Sequence, residues 1–252
     1  CSSDPVTTTP EPVTTTPEPV TTTPEPVTTT PSVSATTQPQ IEKFEQVAKN
    51  NLDGLMILTI KSDYQALNDK LSTVNKIEFD NEKETALRLI KILIKKSEFE
   101  GLDENSKYII IQARISLNYL LSNYFIESSQ NSQAAEHFLG IARDMWLLDQ
   151  PIDNIIEYFI MASSLSLTYN NQLIKKFFET QDGFFKWLSE QGDVRFRLIR
   201  NLFRVNSNQD RSLLNDVVER FRNNRVRFSE NLQYYLEMAI DRVKSVLNRL
   251  RF

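Results

Sequence analysis

KYIIIQARISLNYLLSNYF, residues 107–125, decides the fold. Its apolar residues Ile110, Ala113, Leu117, Leu120, Leu121 and Phe125 recur at three- and four-residue intervals. That spacing gathers them on one face of an α-helix and scatters them over both faces of a strand. Working outward, the same pattern continues on both sides. Upstream, Leu87, Ile90, Leu93 and Ile94 follow the acidic start Asp80-Asn81-Glu82, and Ile41, Phe44, Val47 and Ala48 form an earlier stripe. Downstream lie Leu213, Leu214, Val217, Val218 and Phe221, then Leu232, Tyr235, Leu236, Ala239, Val243, Val246, Leu247 and Leu250. Start signals separate these runs at Asp103-Glu104-Asn105-Ser106, Asn131-Ser132, Pro151-Ile152-Asp153, Ser207-Asn208 and Ser229-Glu230. Pro151 suits the first turn of a helix, where its missing N–H costs nothing. The reading is roughly nine or ten helices of ordinary length. With five Gly in the chain, a turn-rich β-sandwich or barrel is disfavoured.

The helical pattern stops abruptly upstream. Nine of the ten prolines lie before residue 40, and every aromatic lies after residue 43. The boundary is therefore placed near Gln40, giving residues 1–40 as a linker and 41–252 as the folded domain, long enough to bury a core. Pro5-Val6-Thr7-Thr8-Thr9-Pro10-Glu11 recurs from Pro12 and Pro19, and a fourth copy from Pro26 ends in Pro31-Ser32. Two prolines in each heptad forbid a helix. Such a segment cannot bury enough apolar surface to offset the entropy of ordering it, so disorder is expected. In extended polyproline II geometry residues 5–40 would reach roughly 110 Å, the property of a spacer. A glycosylated mucin-like stalk has the same composition.

Two resemblances follow from these segments. Cys1 followed by Ser2, Ser3 and a low-complexity linker resembles a processed bacterial lipoprotein. That resemblance implies a thioether-linked diacylglycerol on Cys1, commonly with an acylated amine. Two or three acyl chains suffice for stable anchoring. In that family an Asp directly after the Cys marks inner-membrane retention; here Ser2 stands there, which implies the outer membrane, its periplasmic face ahead of the cell surface. Within the domain, Leu121-Ser122-x2-Phe125 and Ala134-x3-Phe138 resemble one tetratricopeptide repeat, with Ser122 in place of the usual Gly. Asn118 replaces the repeat's Trp, and Trp146 its closing Pro. One period later Ile155 and Phe159 fit but Thr168 and Gln172 do not; one period earlier only Leu87 fits. The expected fold is all-α, with a tetratricopeptide-like solenoid and an irregular helical bundle both open.

Candidate sites are few. The only cysteine is Cys1 and the only histidine His137, so a Cys/His metal site is not expected, nor any cofactor. The glycines form no phosphate loop or dinucleotide fingerprint. His137 could serve as a general base only with partners that the sequence does not mark out. Trp146, Trp187, Phe177, Phe178, Phe184 and Phe185 could line a peptide groove or fill the core. Charge is uneven: residues 1–174 carry a net of −10 and residues 175–252 a net of +6. Between Trp187 and Asp241 there are nine Arg and no Lys. Arg is the better bidentate binder of carboxylate and phosphate. Arg220, Arg222, Arg225 and Arg227 are the candidate partner contacts, against internal pairing with Asp193, Asp210, Asp216, Glu219 and Glu230. A net charge of −4 argues against nucleic acid as a partner.

The functional expectation is a non-catalytic scaffold or assembly lipoprotein that joins the membrane, through Cys1, to an envelope protein. Its plan is similar to tetratricopeptide lipoproteins that help to assemble outer-membrane barrels or secretins. It is also similar to tethered activators of peptidoglycan synthesis. Alternatives are a surface-exposed adhesin-like protein, a filament or motor component, and a glycan-acting envelope enzyme. The last would require a buried catalytic Glu with a raised pKa.

Overall fold

The computed structural model describes residues 52–98, 100–180, 182–205 and 210–249. The Thr/Pro segment 1–40, Cys1 and the stripe Ile41–Ala48 lie outside the described residues, as do Ser207-Asn208 and Leu250. Those described fall within one unit, Glu45–Phe252. They form eleven α-helices and no strand: α1 (Asp53–Ile60), α2 (Tyr64–Leu71), α3 (Asp80–Ser97), α4 (Glu104–Glu127), α5 (Asn131–Leu147), α6 (Ile152–Thr168), α7 (Leu173–Thr180), α8 (Gly183–Glu190), α9 (Val194–Arg204), α10 (Arg211–Asn224) and α11 (Glu230–Arg249). A 3-10 turn, Arg225–Arg227, joins the last two. The all-helical expectation holds. The count exceeds it because the stretch after α6 is cut into the short helices α7, α8 and α9.

Local chemistry explains where the helices start. Asp103 begins α4 by accepting from the Ser106 N–H at 2.9 Å. Asp182 does the same for Phe185 at 2.9 Å and Asp193 for Arg195 at 2.7 Å. These bonds satisfy N–H groups that the first turn leaves without a helical acceptor. Pro151 stands one position earlier than expected, as the residue preceding α6, with its carbonyl accepting from Ile155 at 3.3 Å. Neither Asn131 nor Ser132 caps α5, whose preceding residue is Gln130.

The ends share one device. Ser62, Ser129, Asp149 and Asn170 hold φ between 49° and 58°, each two residues beyond a helix. At Ser129 the N–H reaches Ile126 C=O at 3.0 Å, and the next N–H, Gln130, reaches Phe125 C=O at 2.7 Å. The same pair of bonds recurs at Ser62, Asp149 and Asn170. This is the Schellman closure, usually made with Gly. In a glycine-poor chain, small polar residues accept the left-handed conformation instead.

Packing is organised around α6. It lies against α5, α7, α9 and α11 and buries residues on all sides, from Ile155 and Ile156 to Ser163, Ser164 and Ser166. A helix apolar all round belongs in an interior. A solenoid element touches only its neighbours in the stack. Here α11 returns to α6, so of the two expected arrangements the helix contacts are those of an irregular bundle. Among the earlier helices α3 packs on α4 and α4 on α5, while α1 also lies on α3 and α2 on α4. Leu121, Ser122, Phe125, Ala134 and Phe138 are all buried in the α4–α5 hairpin.

Gly140 marks a close approach in that hairpin. A Cβ there would stand 3.1–3.3 Å from the Asn118 side-chain amide. Inside a helix Gly costs up to about 1 kcal/mol relative to Ala, so close packing is what it supplies here. Gly140→Val is expected to destabilise by about 1–3 kcal/mol through overpacking; thermal unfolding of the single variant checks it.

The aromatic residues form core. Phe159, fully buried, has ring centroids of Phe177 at 5.5 Å, Phe196 at 5.7 Å, Phe184 at 6.2 Å and Phe178 at 6.4 Å around it. Trp146 packs on Phe184 at 5.5 Å, and Trp187 stacks on the same ring at 6.2 Å. The peptide-groove reading of these residues is therefore set aside in favour of packing: Phe177, Phe184 and Phe185 are buried, and both Trp and Phe178 lie partly buried against the core.

Candidate functional site

Arginine chemistry divides the C-terminal region into an internal part and an outward part. Arg195 is internal. Its Nη2 donates to Asp153 at 2.7 Å and to Asp193 at 2.6 Å, tying the start of α9 to the start of α6. Burial alone would raise the Asp193 carboxyl; the hydrogen bonds and charge of Arg195 outweigh it and hold the group below the usual range. Arg200 lies over the Phe185 ring at 5.5 Å, a cation–π contact.

The four arginines singled out in the sequence come together at the turn between α10 and α11. Arg220 donates to both oxygens of Asp216, one helical turn back, at 2.8 Å. Arg225 is fixed more firmly: Nη2 to Glu237 at 2.9 Å and Nε to Gln233 Oε1 at 2.8 Å. The Gln233 amide returns two bonds, to the carbonyls of Arg225 at 3.1 Å and Phe228 at 2.9 Å. Phe228 is buried against Phe221 at 6.1 Å, and the Ser229 hydroxyl accepts from the Leu232 N–H at 3.1 Å to start α11. The Ser229 hydroxyl also donates to Glu157 at 3.0 Å, joining the turn to α6. These contacts hold the turn in one shape. On its outside Val226 is 91% exposed, flanked by exposed Arg225 and Arg227. Arg222 and Arg227 are exposed and make no ion pair among the described residues. Val226 thus stands between Arg225, whose guanidinium is paired, and Arg227, whose guanidinium is free, with the free Arg222 in the last turn of α10.

His137 is built into the α4–α5 hairpin. Its Nδ1 meets Asn118 Oδ1 at 2.8 Å, and its ring stacks on Phe125 at 5.3 Å, nearly parallel. Burial pushes its pKa down to about 4. At neutral pH it is an uncharged donor to an amide. A depressed histidine pKa favours the neutral form in the folded state, so its contribution is present above the ordinary value of 6.5 and is lost as the pH falls through about 4. As this is the sole histidine, its ring proton resonance can be followed unaided. It is expected to stay unshifted from pH 7 down to about 5; titration near 6.5 would contradict the buried pairing.

The sequence did not reveal one buried pair. Asp144, 1% exposed, accepts from Arg114 Nη2 at 2.5 Å, while Arg114 Nη1 donates to Ser97 at 2.9 Å. The pair links α3, α4 and α5. Burial pushes the Asp144 carboxyl up to about 7 against the pull of Arg114. Arg114 Nε and Asp144 Oδ2 are buried with no hydrogen-bond partner. Each residue sat in a helix among apolar neighbours, and periodicity alone cannot show that they face each other. No group of three or more His, Cys, Asp or Glu side chains able to hold a metal occurs among the described residues. None of their helices is long and apolar enough to cross a membrane.

Set against protein-family models, curated proteins and solved structures, the chain finds no match in any of the three.

Proposed function

We propose that the chain is a membrane-tethered envelope lipoprotein whose helical domain is a non-catalytic protein-binding scaffold or assembly factor. The observation that carries the protein-binding half is the α10–α11 turn, where Val226 is 91% exposed between the paired Arg225 and the free Arg227. Rigid presentation lowers the entropy lost when a partner docks. Free guanidinium groups offer bidentate bonds to carboxylates and steer an acidic partner toward them. Elsewhere polar side chains are consumed inside the fold: His137 by Asn118, Asp144 by Arg114, Arg195 by Asp153 and Asp193.

The tether half rests on the Thr/Pro heptads, whose composition is that of a spacer, and on the likeness of Cys1-Ser2-Ser3 to an acylated N-terminus. Reach is useful when the partner is remote from the anchoring membrane. The proposed location is the periplasmic face of the outer membrane. Mass spectrometry of the N-terminal peptide from fractionated envelopes tests the tether: a diacylglycerol-bearing Cys1 in the outer-membrane fraction is the expected result, and an unmodified peptide in the soluble fraction would overturn it. Digestion by protease added to intact cells would move the domain to the surface, where an adhesin-like role replaces periplasmic assembly.

A further inference from the structure

Beside the arginine turn runs a trough between α10 and α11. On α10, Leu214, Val218 and Arg222 recur every four residues and so share one face. With Lys244 and Leu247 of α11 they line an open cavity of about 610 Å³. A contiguous cavity of about 290 Å³ shares Val218, Arg222 and Lys244 and extends to Arg225 at the turn. The floor is apolar; the rims are charged. Arg225 is matched by Glu237 and Lys244 by Asp241. Arg222 on the rim, and Arg227 at the turn outside both cavities, have no carboxylate partner among the described residues; Glu219 on the rim of the larger cavity has no basic partner there either, so the free positive charge lies toward the turn and the free negative charge away from it.

We propose that this trough docks an acidic amphipathic helix of a partner protein, with apolar side chains along the floor and carboxylates directed at Arg222 and Arg227. The proposal rests on the protein-binding reading above and names the chemistry of its partner. Size agrees: from Arg211 to Arg225 the helix rise spans about 21 Å, the length of roughly fourteen helical residues. An amphipathic helix in an apolar groove is a recurring recognition mode. An anionic bilayer fits less well, because it is flat where the trough is concave. A second copy offering the same face would bring residues 175–252, with their net of +6, against themselves.

The test is selection from a displayed library of random helices of roughly fourteen residues against the full chain. Selected helices are expected to carry an apolar i, i+3, i+4, i+7 stripe with Asp or Glu toward one end. Their affinity should fall at least about tenfold for Arg222→Glu and recover for Arg222→Lys, since an exposed charge can be reversed without unfolding. Selection of neutral or basic helices, of none, or of helices indifferent to Arg222→Glu would overturn the proposal. So would phosphatidylglycerol vesicles that bind the chain through Arg222 and displace every selected helix. Crosslinking in native envelopes separates this failure from that of the wider reading. A partner captured equally by wild type and Arg222→Glu removes the trough and leaves the scaffold; no partner for either removes the scaffold itself.

Discussion

At pH 8, where the Asp144 carboxyl is ionised, Asp144→Leu is expected to cost about 3–5 kcal/mol, because it leaves the Arg114 guanidinium buried without its counter-charge. Arg114 has a side chain only 14% exposed, and Asp144 1%. For a domain of this size the loss corresponds to a fall in Tm of roughly 6–20 °C. Replacing both residues, Arg114→Met with Asp144→Leu, should recover most of it, since a well-packed apolar pair avoids the desolvation cost that the ion pair carries. The pH dependence follows from the same burial. With its carboxyl raised from 3.8 to about 7, Asp144 favours the protonated form in the folded state. Its contribution is therefore fully present below about pH 4 and is lost as the pH rises through about 7. His137 acts in the opposite sense over the overlapping range, so the two partly cancel in the wild type. The difference in stability between wild type and Asp144→Asn, measured by urea unfolding from pH 4 to 8, should isolate the Asp144 part. A pH-independent difference would contradict it.

Phe159→Ala should be equally damaging, at about 3–5 kcal/mol. The ring is fully buried on α6 and touches Phe177 and Phe178 of α7, Phe184 of α8 and Phe196 of α9. Removing it opens a cavity at the point where three short helices gather on the central one. Those helices have eight to eleven residues each and gain little from helix propagation by themselves, so they depend on this packing. Loss of near-ultraviolet ellipticity ahead of far-ultraviolet ellipticity on heating would show the aromatic cluster loosening before the helices melt. Phe203, partly buried and touching Phe178 at 5.3 Å, provides a milder comparison. Equal costs at Phe159 and Phe203 would contradict the central place given to α6.

The helical class was legible because α3, α10 and α11 are amphipathic, and because α4, though buried or half-buried over most of its length, also repeats apolar residues at three- and four-residue spacing. Their starts were legible where Asp or Ser precedes the run, as at Asp103 and Ser229. The stops were hidden. Ser62, Ser129, Asp149 and Asn170 take a conformation that sequence reading assigns to Gly, and nothing in a lone Ser or Asn marks that it will do so. The cut between α7, α8 and α9 was hidden as well, because each helix is only eight to eleven residues long and the breaks rest on a single Asp, Asp182 before α8 and Asp193 before α9. Of the candidate contacts, the sequence placed Arg220, Arg222, Arg225 and Arg227 close together by position alone. It could not separate Arg220 and Arg225, which are held by Asp216 and Glu237, from Arg222 and Arg227, which are free. That separation depends on which carboxylates α11 brings back across the turn.

The measurement closest to the central claim is crosslinking affinity capture from native envelopes, comparing the full chain with its Arg222→Glu/Arg227→Glu form and identifying the captured proteins by mass spectrometry. One dominant envelope protein, bound by the wild type and lost on charge reversal while helicity is unchanged, is the expected result. Recovery of the domain alone, with no protein enriched over a control lacking the chain, would contradict a scaffold role.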